Sequence, residues 1–137
     1  MTDKQRPLVS VVMATFNETP DMVGKAIESI LNQTYSNLEL FILDDSTNEL
    51  TRQKIDSYNT DNRVKVIRDE KRMGFVPALN KGLALASGKY IARMDGDDIS
   101  LLDRLEKQVT FLEENNDIFV LGGQMNIINE NDVITVS

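Results

Sequence analysis

Three carboxylates fall within four residues at Asp95-Gly96-Asp97-Asp98. Like charges at that spacing repel one another, and a bound cation is the usual compensation. Carboxylate oxygens are hard ligands suited to Mg2+ or Mn2+. The run follows a strand-like segment, Tyr90-Ile91-Ala92-Arg93-Met94, and precedes a helical pattern. An ion held at a strand end would hold a phosphate-bearing ligand there, so nucleotide-dependent chemistry is the first reading. The plain alternative is a turn with a helix cap, a place where Asp is common and where Ser100 could also serve. A calcium EF-hand loop does not fit. Asp95, Asp97 and Glu106 match its spacing, but Ile99 stands where a ligand is needed and Ser100 where the glycine is needed.

Two further polar clusters sit at the ends of apolar runs. Thr15-Phe16-Asn17 follows Leu8 to Thr15, and Asp44-Asp45 follows Leu38 to Leu43. An aromatic such as Phe16 can stack on a nucleobase or simply pack. A carboxylate at 44 or 45 can accept a hydrogen bond from a base N–H or a ribose hydroxyl, or merely solvate the strand end. Asn17 and Glu18 suit a turn. Lys71 and Arg72 form the one basic spot near these clusters, and Arg72 could reach a diphosphate through charge-assisted hydrogen bonds. Asn80, polar within an apolar helical pattern, is a candidate for fixing the glycine-containing loop before it.

The elements that would position these groups alternate. The nearly continuous β-branched run Leu8 to Thr15 predicts a strand buried on both faces, as in a parallel sheet. Thr19 and Pro20 open a helix, as cap and first helical residue, that ends near Gln33. Leu38 to Leu43 and Val64 to Ile67 predict strands, with a weaker helix over Glu49 to Ser57 between them. Pro77 can open the next helix, with Val76, Leu79, Leu83 and Ala86 on one side and Gly88 as its stop. Tyr90 to Met94 is the fourth strand. Leu101, Leu105, Val109 and Leu112 mark a helix ending near Asn115-Asn116, and Ile118 to Leu121 a fifth strand. Met125 to Ile128 and Val133 to Val136 flank Asn-Glu-Asn-Asp as a C-terminal β-hairpin. This is an α/β chain with a mainly parallel central sheet flanked by helices. Ligands of such sheets bind at the carboxyl ends of the strands, where all three polar clusters fall.

Composition narrows the chemistry. At 137 residues the chain suits one domain. Its net charge of −7, without basic clusters, argues against nucleic-acid binding. It has no cysteine and no histidine, so thiolate catalysis, disulfides and imidazole bases are excluded, leaving carboxylates, lysine or tyrosine for proton transfer. The N-terminus has no apolar signal region, and no apolar run approaches ~20 residues; a cytoplasmic location is expected.

The ordered motifs resemble one family. Val9-Ser10-Val11-Val12-Met13-Ala14-Thr15-Phe16-Asn17 is similar to the opening strand of family 2 glycosyltransferases with the GT-A fold, a Rossmann-like nucleotide-diphospho-sugar transferase fold. Ser29-Ile30-Leu31-Asn32-Gln33-Thr34-Tyr35 and Glu39-Leu40-Phe41-Ile42-Leu43-Asp44-Asp45-Ser46 continue the likeness. Gly74 through Asn80-Lys81-Gly82, then Ala86-Ser87-Gly88-Lys89-Tyr90-Ile91, extend it. Asp95-Gly96-Asp97-Asp98 resembles the family's D-x-D element and Arg104-Leu105-Glu106-Lys107-Gln108 the helix after it.

The resemblance implies a UDP-, GDP- or dTDP-sugar donor and a Mn2+ or Mg2+ ion. By position, Ala14, Thr15 and Phe16 line the base pocket, Phe16 replacing the more usual tyrosine, with Asn17 beside them. Asp45 or Asp44 reads the base and Arg72 lies near the diphosphate. Asp95 and Asp97 bracket ribose and metal, with Asp98 able to join either. The implied reaction is inverting transfer of a sugar to a glycan or lipid-linked acceptor, in surface polysaccharide or glycan biosynthesis. Location at the inner face of the membrane, with peripheral association through regions outside this chain, goes with it. In similar proteins the general base lies in an acceptor-binding half, in an E-D element, and no acidic residue after Asp98 stands in that context. The expectation is therefore a truncated chain, residues 1–137 being the donor-binding domain with the acceptor-binding half missing and the general base outside it. The alternative is a non-catalytic nucleotide-binding or assembly module. A signalling receiver domain would need a late strand-end lysine, and the only lysine after Asp98 is Lys107, inside a predicted helix.

Overall fold

The computed structural model describes residues 6–123, 125–129, 131–132 and 134–136. The element order is β1 (Val9–Thr15), α1 (Pro20–Leu31), β2 (Leu38–Asp44), α2 (Glu49–Asp56), β3 (Val64–Ile67), α3 (Phe75–Leu85), β4 (Tyr90–Asp95), α4 (Arg104–Glu114), β5 (Ile127–Ile128) and β6 (Ile134–Val136). A 3-10 turn, Ser57–Thr60, follows α2.

The first four strands form one parallel sheet in the order β3-β2-β1-β4. Its centre is β1 and β2, whose apolar residues Val11, Val12, Met13, Leu40, Ile42 and Leu43 are all buried. Helices cover such a sheet, so both faces of a central strand must be apolar. From β1 the chain winds outward through β2 and β3, then returns to place β4 on the other side of β1. That reversal is the topological switch point, and it opens a crevice beyond the carboxyl ends of β1 and β4.

Local signals explain the helix starts. The Thr19 side chain accepts a hydrogen bond from the Met22 amide at 3.2 Å, with Pro20 as the first helical residue. Asn48 does the same for α2, accepting from the Thr51 amide at 3.1 Å. Helix α3 departs from the sequence expectation in both start and face. It begins at Phe75, which leaves Pro77 in the first turn, where a missing N–H costs no intrahelical bond. Its buried residues are Ala78 and Gly82, whereas Val76 and Leu83 are exposed. The cause is close approach. A Cβ on Gly82 would lie 2.5 Å from Val12 Cγ1 and 3.0 Å from Leu43 Cδ2, so only small residues let the helix sit on the sheet.

The chain divides into two compact units, residues 1–107 and 108–137. The first contains the sheet. In the second, the strand expected over Ile118 to Leu121 does not form, and Phe119 and Val120 are 92% and 89% exposed. An apolar run becomes a strand only by pairing its backbone and burying a face; among the described residues none pairs with it. The hairpin forms in shorter shape. Strands β5 and β6 pair antiparallel with an irregularity at Ile127/Ile128, and Asp132, at φ 60°, turns the chain with its amide donating to the Asn129 carbonyl at 2.9 Å. Met125 precedes β5, and Val133 lies outside the described residues. Among the described residues no helix is long and apolar enough to cross a membrane.

Candidate functional site

The strand register brings the polar clusters together. Thr15, the last residue of β1, lies beside Asp44 of β2, and Ala14 lies beside Asp95 of β4. Beyond these ends is a cleft of about 230 Å³. Ala14, Thr15, Phe16, Asp45, Arg72, Asp95 and Asp97 all line it.

Asp44 and Asp45, adjacent in sequence, have different work. Asp44 is buried. Its Oδ1 accepts from Thr15 Oγ1 at 2.8 Å and the Ser46 amide at 2.9 Å, and its Oδ2 accepts from Arg68 Nε at 2.8 Å. Burial acts to raise its pKa, but the hydrogen bonds from Ser46, Thr15 and Arg68 outweigh it and hold the carboxyl below its ordinary value. Asp44 thus locks β1, β2 and the Arg68 loop. Asp45 faces the cleft. Its oxygens accept from the Met73 and Gly74 amides, each at 2.9 Å. A carboxylate has about four acceptor positions, so Asp45 fixes the loop and still offers lone pairs to a ligand. Asn80 is exposed; the task of holding that glycine loop falls to Asp45. Gly74 supplies the loop's left-handed turn, at φ 80°.

Asn17 also has a positive φ, 56°, a conformation Asn tolerates better than most residues. Its Oδ1 accepts from the Thr47 and Asn48 amides at 2.8 and 2.9 Å, and its own amide donates to Ser46 Oγ at 2.9 Å. The side chain ties the loop after β1 to the loop after β2. Phe16 is half exposed, and the Arg72 guanidinium lies 3.9 Å from its ring centroid. Lys71 is exposed in the loop.

The acidic run is a tight turn at the end of β4. The Gly96 amide donates to the Ala14 carbonyl at 3.1 Å and the Asp98 amide to the Asp95 carbonyl at 3.2 Å. Helix α4 begins only at Arg104, so these carboxylates do not cap it. Asp95, Asp97 and Asp98 each present an oxygen within 4.8 Å of the others. Among the described residues, Asp95 Oδ1 is the one buried side-chain oxygen or nitrogen without a hydrogen-bond partner. Partial burial, then the charges of Asp97 and Asp95, push the Asp98 carboxyl above its ordinary pKa. A buried carboxylate oxygen with no donor, grouped with two more carboxylates, fits a divalent cation with hard oxygen preference.

Glu18 belongs to the site and was legible only as a turn former. It lines the cleft, and its Oε2 accepts from the Phe16 amide at 2.7 Å. The Thr51 hydroxyl holds its carbonyl at 2.6 Å. Burial raises its pKa, with Asp97 and Asp44 adding to the rise against its backbone hydrogen bonds. The carboxylate rests against Gly96, where an added Cβ would stand 2.7 Å from Glu18 Oε1 and 2.8 Å from Thr15 Cγ2. Nothing larger than glycine fits the middle of the D-x-D sequence with Glu18 in this place.

Comparison with known proteins gives the same direction. The profile of Glycosyl transferase family 2 matches residues 10–137. An uncharacterized glycosyltransferase of Haemophilus influenzae is 41% identical over 127 residues, covering 92% of this chain and 39% of its own length. UDP-Glc:alpha-D-GlcNAc-diphosphoundecaprenol beta-1,3-glucosyltransferase WfgD of Escherichia coli is 37% identical over 127 residues, covering 93% of this chain and 49% of its own. The chain therefore spans about half or less of the length of these relatives. Among solved structures, the mannosyltransferase PcManGT of Pyrobaculum calidifontis in complex with GDP-Man and Mn2+ superposes with a TM-score of 0.68 at 27% identity, over 80% of this chain and 33% of that one. A parallel sheet whose switch point carries an aspartate-lined cleft, and a family profile running through nearly all of it, lead to one assignment: the chain belongs to glycosyl transferase family 2, with the GT-A fold.

Proposed function

We propose that this chain is the donor-binding part of an inverting, metal-dependent glycosyltransferase that takes a sugar from a nucleotide-diphosphate donor to a glycan or lipid-linked acceptor. The observation that carries the reading is the buried, unpartnered Asp95 Oδ1, on a residue that groups with the carboxylates of Asp97 and Asp98 and lines the same cleft as Phe16, Asp45 and Arg72. In this reading Phe16 supplies a stacking face for the base and Asp45 accepts from a base N–H. Ala14 and Thr15 form the pocket floor, and Asn17 holds that floor by bracing the loops. Arg72 donates to the diphosphate. Asp95 takes the ribose side of the metal site, and Asp97 with Asp98 the ion. Bound Mn2+ or Mg2+ would neutralise the leaving nucleoside diphosphate as a Lewis acid. Inversion needs a base to take the acceptor's proton; we assign it to residues outside this chain, in an acceptor-binding part.

The relatives support the substrate classes. WfgD's name specifies a UDP-glucose donor and a diphosphoundecaprenol-linked acceptor, and PcManGT was solved with GDP-Man and Mn2+. We extend the first to a lipid-linked acceptor in surface polysaccharide assembly at the cytoplasmic membrane face. Calorimetric titration of UDP, GDP and dTDP, each with and without Mn2+, tests the donor site. Binding of one nucleotide that strengthens with Mn2+ is expected; no binding by any of them would overturn the assignment. Donor hydrolysis or transfer by a longer chain carrying these residues separates an enzyme from a non-catalytic nucleotide-binding module.

A further inference from the structure

Asp95 is held by β4, whose backbone pairs with β1. Asp97 and Asp98 are exposed in the turn beyond it and have no strand to hold them. Their position depends on how the chain is fixed on the far side, and there the structure is heavily anchored. The Ser100 amide donates to Ser29 Oγ at 3.0 Å, and that hydroxyl donates in turn to the Ala26 carbonyl at 2.7 Å. Gln33 Nε2 donates to the Leu101 carbonyl at 2.6 Å and to the Ser29 carbonyl at 2.9 Å. Gln33 Oε1 accepts from the Leu105 amide at 3.0 Å, one of the orphan donors in the first turn of α4. The Thr34 amide donates to the Leu102 carbonyl at 2.9 Å. Both Ser29 and Gln33 are buried.

We propose that Ser29 and Gln33 are positioning residues for the metal site: the end of α1 and the residues just after it clamp residues 100–105 so that Asp97 and Asp98 are held beside Asp95 before a cation arrives. The proposal rests on the metal reading of the acidic run given above. Three carboxylates left to themselves would swing apart, because their repulsion is relieved by separation. A loop fixed at Asp95 and again at Ser100 cannot open that far. The Gln33 carboxamide is suited to the clamp because both its N–H donors and its oxygen are committed to backbone groups of Ser29 in α1 and of Leu101 and Leu105 in the clamped segment, and a buried amide leaves such bonds only at a cost. Arg104 completes the frame from the other direction. Its Nη1 donates to Ser100 Oγ at 3.0 Å and its Nη2 to the Arg93 carbonyl at 3.2 Å, joining β4 to the clamped segment.

The test uses the 137-residue chain and Mn2+ alone, followed by loss of the free-ion EPR signal, with thermal unfolding and amide exchange measured beside it. Ser29→Ala and Gln33→Leu should each weaken Mn2+ binding about 10-fold, the scale seen when groups behind metal ligands are removed. Ser29→Thr, which keeps the hydroxyl, should restore it. Exchange at the Ser100 amide should quicken in Ser29→Ala, and at the Leu105 amide in Gln33→Leu, without metal present. Ser87→Ala, which removes a hydrogen bond to Glu39, serves as a control for general loss of stability and should leave Mn2+ affinity unchanged. Equal Mn2+ affinity in Ser29→Ala and the unsubstituted chain, with the variant folded, would overturn the clamp while leaving the metal site standing. A Ser87→Ala loss as large as that of Ser29→Ala would overturn it too. No Mn2+ binding by the unsubstituted chain would bring down the metal reading itself, and the clamp's purpose with it.

Discussion

Arg72 lays its guanidinium on the ring of Phe16, 3.9 Å from the centroid, across the mouth of the cleft. The pair joins the loop after β1 to the loop before α3 and presents an aromatic face and a cation in one place. Base stacking on an aromatic is worth about 1–3 kcal/mol by alanine substitution. Phe16→Ala should therefore weaken UDP or GDP binding by that amount in calorimetry. Because Phe16 is 44% exposed, the melting temperature should move little. Arg72→Lys keeps the charge and loses the planar stack; intermediate weakening is expected, and full affinity would show that the guanidinium's planarity has no part.

Asp95 separates metal binding from folding. In the metal-free protein a buried carboxylate oxygen without a donor is a cost. Asp95→Asn removes the charge and eases repulsion with Asp97 and Asp98, so thermal stability should hold or rise while Mn2+ affinity falls at least ~10-fold. Asp97→Ala should lose metal-dependent nucleotide binding with little change in melting temperature. A melting temperature that drops with Asp95→Asn would mean that the carboxylate has a structural partner in solution.

Neighbouring aspartates should give opposite phenotypes. Asp44→Ala breaks a buried pair with Arg68 and strips Thr15 and Ser46 of their acceptor; a loss of about 3 kcal/mol is expected from urea unfolding. Asp45→Asn changes only a half-buried group whose oxygens hold two amides. It should cost nucleotide affinity more than stability, which paired calorimetry and unfolding would show.

Glu39 gives the fold a pH signature at the opposite end of the sheet. Burial would raise its pKa, but hydrogen bonds from Ser10, Ser87 and Lys65 prevail and bring it from 4.5 down to about 2. A carboxyl depressed in the folded state contributes stability that is complete above the unfolded value and is lost as pH falls through the folded one. Stability should thus decline from about pH 4.5 toward pH 2, and Glu39→Gln should flatten that stretch while lowering stability at pH 7. Urea midpoints measured across the range check it; parallel curves for the two proteins would show that these bonds give no net stabilisation.

What could be read in advance followed local rules. Continuous β-branched runs located β1 and β2, and the strand-end rule gathered Phe16, Asp45 and Asp95 to Asp98 on one edge. What could not be read depended on geometry at the end of a strand or on contacts between distant segments. Whether Asp44 or Asp45 faced the cleft turned on a single residue of strand length. The apolar stripe on α3 pointed to Val76 and Leu83, but the tight seat over Val12 favoured Ala78 and Gly82. Gln33 reaches Leu105 across 72 residues, and no local pattern announces such a bond. Ile118 to Leu121 had the composition of a strand without, among the described residues, the partner that makes one.

Gly96 and Glu18 share one small volume, the carboxylate occupying space that a side chain at 96 would need. The choice of residue at one position thus bears on the other, though they stand 78 positions apart in the chain. A library randomised at position 96 alone should favour glycine, with small residues admitted only where the Glu18 carboxylate swings aside. Randomising 18 and 96 together should widen the choice at 96 where 18 has shrunk, within the limit that the Thr15 methyl sets.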